Sequence, residues 1–143
     1  MRNRAAAIII RNGELLLIRR QKPGRDYYIL PGGGVELDES FAEACIREVK
    51  EETGLDVLSL HLAHKYFYRG SEEDYFVALV PPDEPVLGGS EAQRHSPTNS
   101  YSFEWVDAER LAAINLQPVA ARRISLEIMG RQKPKLPPDF SPE

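Results

Sequence analysis

The chain has 143 residues, 42% of them hydrophobic, which suits one folded domain. Its 22 acidic and 18 basic residues give a formal charge of −4, which argues against a surface for duplex nucleic acid, where basic patches supply most of the affinity. One cysteine excludes an intramolecular disulfide, and no apolar run approaches the roughly 20 residues of a membrane span, so we expect a cytoplasmic protein without a membrane partner.

The first thirty residues predict three strands. An Asn-Gly pair at 12–13 separates two apolar runs, and it predicts a tight hairpin because both turn positions need positive φ. We therefore expect strands at about 5–11 and 14–20. The run YYIL at 27–30 predicts a third short strand, which the following proline and three glycines end.

A helix is predicted over 41–53. Ser40 and Glu43 have the S-x-x-E spacing of a capping box, which satisfies free N–H groups at a helix start, and Gly54 supplies the end. An apolar stripe at i, i+3, i+4 and i+7 predicts the face that packs on a sheet. The stripe consists of Ala42, Cys45, Ile46 and Val49.

The second half of the chain predicts more strands and then two helical stretches. Residues 55–70 and 72–80 have the pattern of a strand pair, and 100–107 that of a further strand. The run LAAIN at 111–115 and the segment 118–130 predict helices, the second begun by its proline and ended by its glycine.

The order of these elements predicts an α/β protein with a mixed β-sheet between helices. We expect a single domain over 1–130. The segment 131–143 is rich in proline and has little apolar content, so we expect a loose tail there.

Three glutamates near the end of the predicted helix share one face, namely Glu48, Glu51 and Glu52. Like charges at this spacing repel one another, and the helix dipole disfavours anions at a C-terminus. The cluster is therefore either a solvated acidic face or a site for a cation, and carboxylate oxygens suit Mg²⁺ or Mn²⁺. The glycines at 32–34 favour the cation, because they let the backbone approach a ligand and expose carbonyl oxygens.

The residues from 33 to 55 also follow a known motif. Gly33 is followed by five residues, Glu39, seven residues and then REVKEETGL. This order resembles the Nudix box GX5EX7REUXEEXGU at every defined position, where U is a bulky aliphatic residue. The hairpin before the box and the tryptophan-containing strand after it are similar to the family's α/β/α sandwich.

The resemblance implies a metal-dependent hydrolase that cleaves the diphosphate linkage of a small nucleotide substrate: a nucleoside triphosphate, a nucleotide sugar or a dinucleotide. It implies Mg²⁺ or Mn²⁺ bound by Glu48, Glu51, Glu52 and the carbonyl of Gly32. A rival interpretation is a nucleotide-sensing binding module of the same fold without turnover. The complete set of glutamates favours the enzyme.

The remaining motif residues have implied supporting roles. Arg47 resembles the family's arginine that pairs with box carboxylates, and together with Glu51 and Glu52 it forms the implied catalytic set. Gly33, Glu39 and Gly54 are implied to be structural or orienting residues. A plain stabilising ion pair between Arg47 and Glu39 is compatible with that role.

Outside the motif, three arginines are candidates for substrate binding. Arg19, Arg20 and Arg25 lie near the end of the second predicted strand, and a guanidinium suits phosphate through bidentate bonding. An arginine at a strand end is also commonly solvated. Four aromatic residues could either stack on a base or pack within strands. They are Tyr27, Tyr66, Phe67 and Tyr68.

A general base is expected outside the motif. If all the carboxylates of the helix bind metal, no carboxylate of the helix is left to accept a proton from water. Glu91 is the only carboxylate of the polar, glycine-hinged segment 88–99, and long loops of this kind are commonly functional or disordered. An exposed acid without function is the competing interpretation, and Glu73 or Glu104 are alternative bases. Substrate identity, the number of metal ions and the oligomeric state, with a homodimer as one candidate, stay open.

Overall fold

The computed structural model describes residues 2–88 and 95–132, which contain eight strands and three helices. The strands are β1 (Arg4–Ile8), β2 (Ile10–Arg11), β3 (Glu14–Lys22), β4 (Arg25–Ile29), β5 (Gly32–Gly34), β6 (Ser59–Tyr68), β7 (Ser71–Leu79) and β8 (Ser100–Asp107). The helices are α1 (Phe41–Thr53), α2 (Ala108–Leu111) and α3 (Val119–Gln132).

The strands form two sheets. The first sheet has the order β5-β1-β7-β6 and is mixed, because β1 and β7 run parallel with Arg4 opposite Glu73, while its other pairs are antiparallel. In the second sheet β3 pairs antiparallel with β2, β4 and β8. Ile9 links β1 to β2 and its carbonyl accepts a hydrogen bond from the N–H of Leu16, so the first strand segment takes part in both sheets.

Helices cover both faces of the first sheet. Side chains alternate along β1 as strand geometry requires. Ala5 and Ala7 belong to the apolar cluster that includes residues of α1, whereas Ala6 and Ile8 belong to the cluster that includes residues of α3. The predicted α/β/α sandwich with a mixed sheet is confirmed, and α1 lies against the edge that carries the glycine strand β5.

The predicted bounds and caps of the first helix are confirmed. The Oγ of Ser40 accepts a hydrogen bond from the N–H of Glu43 at 3.0 Å, and the N–H of Ser40 donates to Oε1 of Glu43 at 2.8 Å. Gly54 ends the helix with φ 74°, a left-handed conformation that suits glycine. The predicted hairpin is confirmed as well, with φ 52° at Asn12 and 77° at Gly13.

The predicted apolar stripe of α1 was partly wrong. Cys45 and Val49 are buried, but Ile46 is 43% exposed. The buried face instead continues to Glu52 and Thr53, so the helix is rotated relative to the predicted stripe. An apolar stripe could not show this face, because Glu52 is a charged residue that turns inward and accepts a hydrogen bond from the glycine strand.

Three smaller expectations were also corrected. The glycines at 32–34 form the strand β5, paired with β1, instead of only ending a strand. The predicted helix at 111–115 was wrong in its bounds: α2 spans Ala108–Leu111, and the side chain of Asp107 caps its start by accepting a hydrogen bond from the N–H of Arg110. Gly130 does not end α3, which continues to Gln132.

Two further points concern the extent of the domain. Within the part of the chain that the structure describes, no helix is long and apolar enough to cross a membrane. Residues 133–143, most of the predicted tail, lie outside the described residues, so the division into a 1–130 domain and a 131–143 tail stays a prediction.

Candidate active site

Arg47 is the centre of a network that joins α1 to the segment before it. Its Nε and Nη2 donate to the two carboxylate oxygens of Glu39 at 2.6 and 2.9 Å, a bidentate pairing. Its Nη2 also donates to the carbonyl of Gly34 at 3.0 Å. Its Nη1 donates to Glu48 at 3.1 Å and to Glu51 at 3.2 Å. One guanidinium therefore orients two of the predicted metal-binding carboxylates.

Electrostatics keep this network charged. Hydrogen bonds from Arg47, with a further one from the N–H of Glu36, lower the pKa of Glu39 to about 2. The same carboxylates raise the pKa of Arg47 above its ordinary value, with the bonds to Glu39 as the largest cause. Both partners therefore stay ionised across the neutral range, which supports the orienting role predicted for Arg47 and Glu39.

The glycines of β5 allow carboxylates to lie against the strand backbone. Glu52 is only 4% exposed, and its Oε1 accepts a hydrogen bond from the N–H of Gly32 at 2.7 Å. A β-carbon at Gly32 would lie 2.2 Å from the carbonyl oxygen of Ala5, and one at Gly33 would lie 2.3 Å from Oε2 of Glu48. Both positions therefore need glycine for close approach.

These residues fit a divalent cation. Glu48, Glu51 and Glu52 offer hard oxygen donors, and Gly33 leaves the space into which the Glu48 carboxylate packs. Within residues 2–88 and 95–132 no three acidic, histidine or cysteine side chains stand together as an assembled metal centre. Glu48 and Glu51 contact Arg47, so a cation bound there would compete with that guanidinium.

A cleft opens beside Gly32. A cavity of about 60 Å³ is lined in part by Gly32, Ala6 and Tyr75, and it adjoins a larger one of about 390 Å³. The two cavities share Arg4, Ile29, Glu73, Gln117 and Pro118, and we call the pair of cavities the cleft.

The wall of the larger cavity carries aromatic rings. Tyr66 and Tyr68 lie two positions apart on β6, with ring centroids 6.5 Å apart and planes 12° apart. Tyr27 is instead buried, and Phe67 is 67% exposed and does not line the cleft. Of the four aromatic candidates, the structure therefore brings two to the cleft.

Arg19 and Arg20 have partners within the second sheet. Arg19 donates to Asp26 at 2.7 Å and to Glu104 at 3.2 Å. Arg20 donates to the hydroxyl of Tyr27 in β4 at 3.3 Å and to Asn99, just before β8, at 2.9 Å. Neither arginine lines the cleft, so its geometry gives no support to their predicted substrate contacts.

Other cations line the cleft. Arg2 and Arg4 do so, and Arg4 pairs with Glu73 at 3.5 Å. Sequence reasoning missed both, because they are isolated residues at and just before the start of β1 and belong to no motif. Arg25 does not line the cleft, but its Nη2 donates to Oε1 of Gln117, which does.

The structure describes two of the three candidate bases, Glu73 and Glu104. Glu91 lies in the segment 89–94, outside the described residues. Gly88, just before that segment, donates its N–H to the carbonyl of Glu52 at 3.3 Å. The residue that precedes the segment therefore lies against the C-terminal end of α1. Glu73 lines the cleft, whereas Glu104 accepts hydrogen bonds from Arg19 of β3 and Arg110 of α2 and does not line it.

An α/β/α sandwich that sets a carboxylate-bearing helix against a glycine strand, next to a cleft, is the arrangement of a Nudix fold. The chain belongs to the NUDIX domain family, whose family model matches residues 1–126. Members of this family act on small-molecule nucleotide derivatives as hydrolases and generally use divalent metals.

The curated relatives of the chain include a phosphatase and an octanoyltransferase. The chain is 26% identical over 136 residues to phosphatase NudJ of Escherichia coli, an alignment that covers 90% of this chain and 84% of the relative. It is 33% identical over 137 residues to an octanoyltransferase of Myxococcus xanthus, which covers 85% of this chain and 36% of that protein. The chain spans about a third of the length of the first two curated relatives it matches, 36% and 31%.

Solved structures support the same fold. The MutT NUDIX hydrolase of Burkholderia pseudomallei superposes with a TM-score of 0.60 at 28% identity, covering 88% of this chain and 95% of that one. A MutT structure from a study of Aliivibrio salmonicida and Vibrio cholerae superposes with a TM-score of 0.71 at 20% identity, covering 91% and 98%, which shows likeness of fold.

Proposed function

We propose that this protein is a divalent-metal-dependent hydrolase that cleaves the diphosphate linkage of a nucleoside triphosphate, a nucleotide sugar or a dinucleotide. The observation that carries the proposal is the buried carboxylate of Glu52, which bonds to the backbone of Gly32 where the cleft opens. Glu52 lines neither cavity itself, but its bond to Gly32, which lines the smaller one, holds a buried carboxylate next to the cleft, and a buried carboxylate in such a place supports a role in chemistry more than a role in solvation.

The proposed metal ligands are Glu48, Glu51, Glu52 and the carbonyl of Gly32. When bound, Mg²⁺ or Mn²⁺ would supply positive charge to the diphosphate oxygens and make water a better nucleophile. Arg47 acts by holding Glu48 and Glu51 in fixed orientations through its bonds at 3.1 and 3.2 Å. The proposed catalytic set is thus Glu51, Glu52 and Arg47, with Glu91 as the proposed base.

The cleft supplies a place for the nucleoside. The rings of Tyr66 and Tyr68 form one wall, and Ile29 and Pro118 are apolar residues in the same lining, which suits a flat base. Arg2 also lines the cleft, and its guanidinium occupies the space that a β-carbon at Gly34 would take. Its charge suits a phosphate oxygen.

A small nucleotide as the partner and a cytoplasmic location belong to the same proposal. Light scattering would measure the oligomeric state, for which a homodimer is one candidate. The rival function, a nucleotide-sensing module, predicts that nucleotides bind without being consumed.

The test is a panel of nucleoside triphosphates, nucleotide sugars and dinucleotides, each with Mg²⁺ or Mn²⁺, with products identified by chromatography. In ¹⁸O-labelled water we expect the label in a phosphate-containing product. Glu52→Gln should lower kcat by on the order of 10²-fold or more, because a charged oxygen donor is lost while the shape is kept. Glu109→Gln, an exposed helical glutamate, is the matched control. Binding without turnover across the whole panel would contradict the hydrolase and favour the sensing module.

A further inference from the structure

The segment 81–88, which follows β7, is fixed at one end by Arg11 of β2. Nη2 of Arg11 donates to the carbonyl oxygen of Pro81 at 2.8 Å and to that of Asp83 at 2.9 Å. The same guanidinium lies over the ring of Trp105 in β8, 4.6 Å from the ring centroid. Arg11 therefore attaches this end of the segment to the second sheet.

The other end of the segment lies against the last turn of α1. A helix leaves its last four carbonyl groups without partners inside the helix. The carbonyl of Thr53 accepts a hydrogen bond from the N–H of Val86 at 2.8 Å. The carbonyl of Glu52 accepts one from the N–H of Gly88 at 3.3 Å, and a β-carbon at Gly88 would lie 2.6 Å from the carbonyl oxygen of Glu51. The segment therefore caps the helical turn that carries two of the proposed metal ligands.

The composition of segment 81–88 suits it to connect these two ends rigidly. Three of its eight residues are prolines, at positions 81, 82 and 85. A proline ring fixes φ, so such a segment has few backbone conformations open to it. A guanidinium that holds residues 81 and 83 therefore also restricts where residues 86 and 88 can lie.

We propose that Arg11 is a positioning residue for the candidate metal site: through segment 81–88 it holds the last turn of α1, and with it Glu51 and Glu52, in the geometry that binds a divalent cation. This inference rests on the proposed function for the location of the cation. Arg11 is not itself a ligand, because a guanidinium offers only donors and carries a positive charge.

The competing interpretation is a contact that only stabilises the fold. Both interpretations expect a loss of stability when the guanidinium is removed. Positioning alone expects the folded variant to bind the cation more weakly. Residues that orient metal ligands change metal affinity by roughly 10–100-fold, and we expect about tenfold here because Arg11 acts through an intervening segment.

The experiment measures the Kd for Mn²⁺ without nucleotide, from the electron paramagnetic resonance signal of free Mn²⁺. Arg11→Met removes the donors and keeps a long side chain over the tryptophan ring, so the Kd should rise by about tenfold. Arg11→Lys keeps a charged donor for the two carbonyls, and its Kd should lie within about threefold of the wild-type value. Glu52→Gln removes a proposed ligand and should weaken the same binding, which assigns the signal to this site.

Two controls separate positioning from a general loss of stability. Arg122 also donates to two backbone carbonyls, those of Ala112 and Ile114 at 3.3 and 3.4 Å, but these belong to the connection between α2 and α3. Glu84→Gln removes only an ion pair with Arg11, which is 3.6 Å long and involves a carboxylate that is 81% exposed. Arg122→Met and Glu84→Gln should both keep the wild-type Kd.

Further measurements test whether the effect travels through the segment. In Arg11→Met the N–H groups of Val86 and Gly88 should exchange faster with solvent, because the segment that presents them to α1 has lost its attachment. Gly88→Ala disturbs the other end of the segment and should weaken Mn²⁺ binding on its own, so it also tests the segment if Arg11→Met does not fold. The double variant should bind about as weakly as Gly88→Ala, because both changes act through one segment.

The outcomes separate this inference from the proposed function. A wild-type Kd in folded Arg11→Met or Gly88→Ala, a weaker Kd without faster exchange at Val86 and Gly88, or an equal loss in Arg122→Met would each overturn the inference. A wild-type protein that binds no Mn²⁺ at millimolar concentration, or binding that Glu52→Gln leaves unchanged, would overturn it too.

The proposed function fails in a different way. Weaker Mn²⁺ binding in Arg11→Met, when the wild type hydrolyses no nucleotide of the panel, would refute the hydrolase and support the inference. Hydrolysis by the wild type with an unchanged Kd in Arg11→Met would support the hydrolase and overturn the inference. Circular dichroism confirms that each variant is folded before it is scored.

Discussion

Replacing Gly32 or Gly33 with alanine adds the same methyl group at adjacent positions of β5. We expect a loss of activity at Gly33 and a loss of stability at Gly32. At Gly33 the new β-carbon would lie 2.3 Å from Oε2 of Glu48, the far end of a side chain that can move. The carboxylate must shift by about 1 Å, which on its own costs on the order of 10²-fold in rate for a catalytic group. Stability should change by less than about 1 kcal/mol, because no backbone has to move.

At Gly32 the added methyl meets backbone instead. It would lie 2.2 Å from the carbonyl oxygen of Ala5 and 2.8 Å from the α-carbon of Ala6. The φ of Gly32 is also 150°, a conformation that side chains rarely adopt. The β1–β5 pairing has to open, so we expect a loss of about 2–4 kcal/mol in the free energy of unfolding.

Both quantities are measurable in one series. The single tryptophan, Trp105, reports urea unfolding, and kcat/KM is measured on the best nucleotide of the panel. Gly130→Ala is the control: nothing lies within 4 Å of its added methyl, so it should keep full activity and gain up to about 1 kcal/mol in stability. Wild-type kcat/KM in Gly33→Ala would refute the proposed role of Glu48 as a metal ligand. Equal stability of Gly32→Ala and Gly33→Ala would refute the steric argument.

Three further predictions concern carboxylates. Glu91→Gln should lower kcat by roughly 10²–10⁴-fold and shift the pH–rate profile if Glu91 is the base, and an unchanged profile would move the role to Glu73 or Glu104, tested by the same substitution. Arg47 lowers the pKa of Glu39 to about 2, so the stability that Glu39 adds over Glu39→Gln should be constant above about pH 5 and decline as the pH falls toward 2 in urea titrations. Burial raises the pKa of Asp74 to about 6, so the stability of the wild type relative to Asp74→Asn should be highest below about pH 4 and fall as the pH rises through 6, and a flat difference would contradict this.

The parts of the structure that depend on local sequence could be predicted. The bounds of α1 follow from Ser40, Glu43 and Gly54, which act on backbone groups within a turn of themselves. The turn at Asn12 and Gly13 is likewise set by the φ values of two residues. Each signal works without reference to the rest of the chain, so single-sequence reasoning finds it.

The parts that depend on distant contacts could not. The buried face of α1 includes Glu52 in place of Ile46, and Glu52 is bonded there to Gly32, twenty positions away in the chain. The cleft joins Arg4 to Gln117, which come from opposite ends of the described chain and have no shared pattern. Arg25 was predicted near phosphate, but its partner is an amide that only the fold brings within reach.

The parallel pairing of β1 with β7 has a consequence for how the chain folds. Arg4 meets Glu73 only after about seventy residues have been made, and contacts of such long sequence separation slow folding because a large loop must close first. The second sheet has the same property, because β3 can pair with β8 only after β8 has been synthesised. In that pair Leu16 of β3 stands opposite Trp105 of β8. The N-terminal half, which carries all of helix α1, therefore cannot complete either sheet during synthesis until the later strands have left the ribosome.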